Sequence, residues 1–226
     1  MKPLIFLPSP RDIPEFLDCA SKLKYDKYWL KYYTPEVLAY REAHAFFMEH
    51  KEYTHFVILP DDLIVSPSDL ETLLNYFRKV PNLKIVSGFC NIDTTAQKDL
   101  ANICIEPVSH IHEGRQYYWL SFDQLADYSK KNKNKYGLVK VFFSGFPLMV
   151  VTRDVIEKIT FRNDLGDGTD PHGCCLDVTF CWDVHQLGYE IFIDPDMRLN
   201  HLKVADGVYA YKGLHINPPK IVFEKN

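Results

Sequence analysis

The apolar positions of this chain fall into short continuous runs separated by stretches of helical period. Leu4 to Leu7 is uniformly apolar, and the segment Lys2 to Leu7 reads as a strand buried on both faces, broken by Pro8-Ser9-Pro10. His55-Phe-Val-Ile-Leu59 and Leu83 to Ser87 read the same way, and the aromatic stretch Tyr28 to Tyr33 reads as a further strand. Between these runs lie helix signals. One helix is expected from about Pro14 to Leu23. A second starts at Thr34-Pro35-Glu36, with Thr34 as N-cap and Pro35 at the first helical position. On a wheel of about 100° per residue, Val37, Leu38, Ala45 and Met48 share one stripe with Arg41 in its middle, while Phe46 and Phe47 lie off it. A third helix follows Ser66-Pro-Ser-Asp69, which has capping-box spacing, and Leu70, Leu73, Leu74 and Phe77 form its apolar face. The alternation predicts an α/β fold: a single domain with a mostly parallel central sheet flanked by helices, and a smaller mixed sheet beyond it.

The pattern loosens after residue 90. Ala101 to Val108, Gln116 to Phe122 and Leu138 to Phe143 read as strands, and the lysine-rich stretch Lys130 to Lys135 as an exposed loop. Leu148 to Val151 is apolar again, with Thr152 capping a short helix to Ile159. Phe161 to Gly173 is polar and glycine-containing, a mobile loop in this reading. A helix from Asp177 to Leu187 stops at Gly188, a strand follows from Tyr189 to Ile193, and the last 25 or so residues read as a surface tail. There is no internal repeat and no domain linker. Residues 1–90 are expected to form a nucleotide-binding half and residues 91–226 an acceptor-side half.

Composition narrows the function classes. The chain has 226 residues and a net charge of −4, which argues against a phosphate-backbone footprint and so against nucleic acid as partner. No stretch reaches the length of about 18 apolar residues that a membrane span needs, so a cytoplasmic protein without a transmembrane segment is expected. The six cysteines, Cys19, Cys90, Cys104, Cys174, Cys175 and Cys181, show no metal or disulfide spacing. His110 and His112 alternate along one strand face, beside a turn at Glu113-Gly114, and read as a hairpin end.

Asp61-Asp62 is the first candidate for chemistry. In parallel sheets ligands bind beyond the carboxyl ends of strands. Two adjacent carboxylates there repel each other, and a divalent cation relieves the repulsion; a hard oxygen site suits Mg2+ or Mn2+. A plain turn is the competing reading.

The segment from Phe56 through Pro60-Asp61-Asp62 to Ser66-Pro67 resembles the Asp-x-Asp region of GT-A glycosyltransferases, and Cys175-Leu-Asp-Val-Thr-Phe-Cys-Trp-Asp through Gly188-Tyr189 resembles the base-bearing segment of family 2 members. Asp194-Pro-Asp-Met-Arg-Leu-Asn-His201 is similar to the strand, turn and histidine that close the family's domain. The resemblance spans Leu4 to His201. It implies a nucleoside-diphosphate sugar donor of the UDP or GDP type, a glycan, lipid or protein acceptor, and transfer with inversion. It assigns the metal to Asp62 and His201, with Asp61 beside them, and the base to Asp177, whose place at a helix start favours the ionised form. Pro8, Ser9 and Arg41 would touch the nucleotide-sugar, and Gly145 and Phe146, within Gly137 to Ile156, would line the acceptor side. Three positions depart from the pattern: Pro60 and Leu176 stand where acids are expected, and Asp183 where an arginine is. Alternatives are a nucleotidyltransferase, whose first loop is usually glycine-rich and basic, and a non-catalytic nucleotide-sugar-binding module of the same fold.

Overall fold

Alternate residues of the first apolar run face opposite sides of one sheet. Leu4 and Phe6 belong to one core cluster, Ile5 and Leu7 to the other; Phe56 and Ile58 against Val57 and Leu59 repeat the division. A strand buried on both faces needs apolar residues at every position, which is why these runs are continuous.

The computed structural model describes residues 1–31, 35–92, 100–106, 119–163, 176–202 and 221–226. In chain order the elements are β1 (Pro3–Pro8), α1 (Pro14–Ser21), β2 (Asp26–Leu30), α2 (Glu36–Glu49), β3 (His55–Ile58), β4 (Leu63–Ile64), α3 (Pro67–Lys79), β5 (Ile85–Phe89), β6 (Ile103–Cys104), α4 (Phe122–Asn132), β7 (Val139–Val141), β8 (Phe143–Ser144), β9 (Met149–Thr152), α5 (Arg153–Ile156), α6 (Leu176–Gln186), β10 (Ile191–Arg198), β11 (Asn200–His201) and β12 (Ile221–Glu224). The main sheet runs β12-β2-β1-β3-β9-β5-β10-β7. Strands β2, β1 and β3 pair in parallel, as do β5 and β10, whereas β9, β7 and β12 are antiparallel to their neighbours. Residues of α1 and α3 (Phe16, Leu70, Leu73, Leu74) join one core cluster. Those of α2, α4, α5 and α6 (Tyr40, Leu125, Val155, Phe180) join the other. The fold is therefore a mostly parallel α/β sheet with helices on both faces.

Several expectations shift. The buried face of α2 is Ala39, Tyr40, Ala43 and Phe47, not the stripe through Val37 and Leu38; Leu38 is 48% exposed, and Ala45 and Arg41 are exposed too. The large rings of Tyr40 and Phe47 take the core, and the wheel had no way to weigh them above smaller aliphatics. Pro35 is the N-cap of α2 rather than its first helical residue, and Thr34 lies outside the described residues. The expected strand ending at Phe122 meets a helix instead. Ser121 and Gln124 form a full capping box for α4, which takes in Lys130 and Lys131 of the expected loop, ends at Asn132 and buries only Leu125 and Ser129. Strand β10 continues through Asp194-Pro195-Asp196 to Arg198, with a register shift after Ile193, in place of a turn. The C-terminal residues include β12, which pairs with β2 and covers the sheet edge rather than lying as a tail. Strand β9, far along the chain, sits between β3 and β5, so the two sequence halves interleave in the sheet. Beside the main sheet the described residues form two small two-stranded ladders, β11 with β4 and β6 with β8. Residues 164–173 of the expected loop, Cys174, Cys175, His110 and His112 lie outside the described residues, while Phe161 is buried in the core. Cys19, Cys90, Cys104 and Cys181 are free thiols.

Candidate functional site

Strand β1 has β2 on one side and β3 on the other, both parallel, so the chain leaves β1 in one direction and returns to its opposite flank. Such a reversal opens a crevice at the carboxyl ends of the two strands. Pro8-Ser9 ends β1, and Pro60-Asp61-Asp62 follows β3. The pairing continues past the strands, because Leu59 N–H donates to the Phe6 carbonyl at 3.1 Å and Ser9 N–H to Leu30 at 3.0 Å. Ser9 is buried, and its hydroxyl donates to the Arg11 carbonyl at 3.2 Å, so it shapes the loop. Pro8 lines a cavity of about 310 Å³ with Arg11, Asp61 and Asp62.

The two aspartates differ in environment. Asp61 is 3% exposed and is gripped at both oxygens by Arg11, whose Nε donates to Oδ2 at 3.0 Å and whose Nη2 donates to Oδ1. Burial raises the Asp61 carboxyl and the guanidinium opposes that rise. Asp62 is partly open; its Oδ2 lies 3.5 Å from His201 Nε2 and 3.6 Å from Arg11 Nη2. A ladder places the histidine there: β11 pairs with β4, His201 opposite Leu63, and Leu202 N–H donates to the Asp62 carbonyl at 2.7 Å.

The His201 ring is held from behind. Nδ1 donates to the Asn91 carbonyl at 2.8 Å, and Nε2 faces Asp62. Metal-binding histidines are commonly oriented in this way, by a hydrogen bond from the other ring nitrogen. Burial disfavours a charged imidazole, but Asp62 and Cys90 outweigh it and lift the His201 pKa to about 10. The pair is thus an imidazolium–carboxylate contact, and a cation bound between the two groups would take the place of the Nε2 proton. Among the described residues no group of three His, Cys, Asp or Glu side chains is placed to hold a metal. One carboxylate and one imidazole still fit Mn2+ or Mg2+, if phosphate oxygens and waters complete the shell.

A second cavity of about 320 Å³ adjoins the first and shares Glu36, Tyr40, Pro60 and Asp62 with it. Its further lining includes His201, Asp177, Gly145, Phe146, Asn102 and Trp119. Asp177 lies in the first turn of α6, and its Oδ1 accepts from Val178 N–H at 2.9 Å. Phe146 is stacked on Tyr40, ring centroids 5.3 Å apart. Asp183, where the family pattern has an arginine, is paired with Arg162 through two hydrogen bonds of 2.9 and 2.6 Å.

Ser9 and Arg41 are the exceptions among the predicted residues: Ser9 is buried and lines neither cavity. Arg41 is exposed, its Nε donates to the Phe161 carbonyl at 2.7 Å, and it too lines neither cavity. The positive charge that grips Asp61 is Arg11, which no sequence motif singled out. Its signal was its place one turn past the first strand. Glu36 was also missed. It lines both cavities while keeping an exposed surface; burial first, then Asp177 and Asp62, raise its pKa to about 7. Asn91, Asn102 and Trp119 had no local signal at all.

No family model matches the sequence, and no curated protein matches it. Among solved structures, the chain is similar to A197 from STIV over 97% of this chain and 98% of that one, at 15% identity and a TM-score of 0.53. That likeness shows the fold alone. CMP:2-keto-3-deoxy-manno-octonic acid synthetase complexed with CTP is similar over 85% of this chain and 89% of its own, at 12% identity and a TM-score of 0.45, too slight to bear on function. Among the described residues no helix is long and apolar enough to cross a membrane.

Proposed function

We propose that the protein is a metal-dependent glycosyltransferase that moves a sugar from a UDP- or GDP-type donor to an acceptor hydroxyl with inversion. One observation carries this reading: Asp62, His201 and Asp177, from three separate segments, line a single cavity that adjoins the switch-point crevice of the sheet. The cavity bounded by Pro8 and Arg11 suits the nucleotide, and that bounded by Asp177 and Gly145 the acceptor, with Asp62 at their junction. Asp62 and His201 would hold Mn2+ or Mg2+, which when bound supplies Lewis-acid stabilisation of the leaving diphosphate. Asp177 takes the proton from the acceptor hydroxyl as its oxygen bonds to the anomeric carbon and the bond to the diphosphate breaks. Arg11 does not favour the nucleotidyltransferase alternative, because Asp61 and Asp62 already engage its charge.

The test is to incubate the protein and Mn2+ with a panel of nucleotide-sugars. Release of UDP or GDP supports the proposal; pyrophosphate release from a nucleoside triphosphate and a sugar phosphate points to nucleotidyl transfer. Asp177→Asn is expected to lower transfer by about 10²- to 10⁴-fold while nucleotide binding persists. Normal turnover in that variant sinks the base assignment.

A further inference from the structure

Asn102 is fixed at its backbone and at one end of its amide. Its N–H donates to the Cys90 carbonyl at 2.9 Å, and its carbonyl accepts from Gly145 N–H at 3.2 Å. Its side chain faces Cys90 N–H at 3.0 Å. A backbone N–H can only donate, so the atom facing it is the amide oxygen, and the amide nitrogen with its two donors is turned the other way.

That nitrogen points across Gly145. A Cβ added at Gly145 would lie 2.7 Å from Asn102 Nδ2 and 3.6 Å from Asp177 Oδ2. The absence of a side chain at 145 therefore lets the Asn102 amide pack against the backbone near the Asp177 carboxylate, and both groups line the same cavity. A hydroxyl matches both, since its oxygen accepts and its proton is given away.

The rest of the lining indicates what carries that hydroxyl. Asn91 and Glu36 add an amide and a carboxylate, and Trp119 and Phe146 add aromatic wall. Trp119 is braced by Phe143 in an edge contact, centroids 5.1 Å apart at 64°. Polar groups interleaved with rings suit a molecule that has many hydroxyls and an apolar C–H face. A lipid chain would require a continuous apolar wall, because each buried amide or carboxylate left unpaired carries a desolvation cost.

We propose that this cavity is an acceptor subsite for a saccharide, in which Asn102 donates to the hydroxyl that Asp177 deprotonates and Trp119 forms the wall against the ring. The inference rests on the glycosyl-transfer reading and narrows its acceptor to a sugar.

The experiment is saturation-transfer NMR, which needs no turnover. The full chain is loaded with Mn2+ and UDP or GDP, and nucleotide binding is measured in parallel by calorimetry. Probes are methyl pyranosides and disaccharides of glucose, galactose, mannose and N-acetylglucosamine, with a straight-chain alcohol and a serine peptide as comparators. Ring-proton saturation for at least one sugar is expected. Its affinity should fall roughly tenfold in Asn102→Asp, which keeps the oxygen facing Cys90 and removes the donor. A similar fall is expected in Trp119→Leu and a smaller one in Trp119→Phe. Binding of the alcohol or peptide without any sugar overturns the proposal, as does sugar binding indifferent to all three variants. If nucleotide binds but no sugar does, the saccharide inference alone falls; if nucleotide fails to bind, the glycosyl-transfer reading falls with it.

Discussion

His201 Nε2 lies 3.5 Å from Asp62 Oδ2, although the two residues come from opposite ends of the described core. The contact depends on the short ladder between β4 and β11, with His201 in register with Leu63. Each residue supplies a ligand type that the other lacks, so neither can be replaced by its partner. We expect Asp62→Ala and His201→Ala each to weaken Mn2+-dependent binding of UDP or GDP by about 10- to 100-fold. Titration calorimetry with and without Mn2+ checks this. Equal nucleotide affinity in both conditions for the unaltered protein removes the metal from the proposal.

Arg11 makes a different prediction, about folding. Its removal strands the buried Asp61 carboxylate, and breaking such a pair from one side costs about 3–5 kcal/mol. Urea unfolding of Arg11→Ala should show a loss of that order, and Arg11→Ala combined with Asp61→Asn should recover part of it. Additive losses in the double variant would show that the two side chains do not act as a pair.

Gly145 lets the Asn102 amide pack close to the backbone beside Asp177, and a methyl group there overlaps that amide. Gly145→Ala is expected to displace that amide and lower transfer by roughly 10²-fold, the scale of effect of a misplaced reacting group. Steady-state kinetics should place the loss with the acceptor, leaving the donor KM near its original value.

His55 predicts acid sensitivity away from the site. Burial lowers its pKa to about 4, and its ring packs edge-on against Phe77 at 4.7 Å. The folded state therefore binds the proton more weakly than the unfolded chain does. The stability that follows from this is fully present above the unfolded value near 6.5 and is lost as pH falls from there to about 4. A contribution of order 3 kcal/mol should disappear across that window. His55→Gln should flatten the slope of unfolding free energy between pH 6.5 and 4 relative to the parent; an unchanged slope assigns the sensitivity elsewhere.

The sequence by itself determined the alternation of doubly buried strands and helices. Burial on both faces leaves an uninterrupted apolar run, and capping leaves Ser66-Pro67-Ser68-Asp69, both of which are local signals. It also offered Asp62, Asp177 and His201 as candidates, on a resemblance of their surroundings to a known enzyme family. Tertiary structure alone decided the rest. The insertion of β9 between β3 and β5 depends on hydrogen bonds between distant segments, which no window along the chain contains. The face that α2 buries was decided by how Tyr40 and Phe47 fit among Phe6, Phe56 and Phe161, not by its weak periodicity. Arg11 and Arg41 are alike as residue types. One meets Asp61 because β1 and β3 are neighbours, and the other meets a backbone carbonyl because its helix turns it outward. Pairwise proximity of this kind depends on the packed fold, and local sequence carries only the chemistry that proximity can then use.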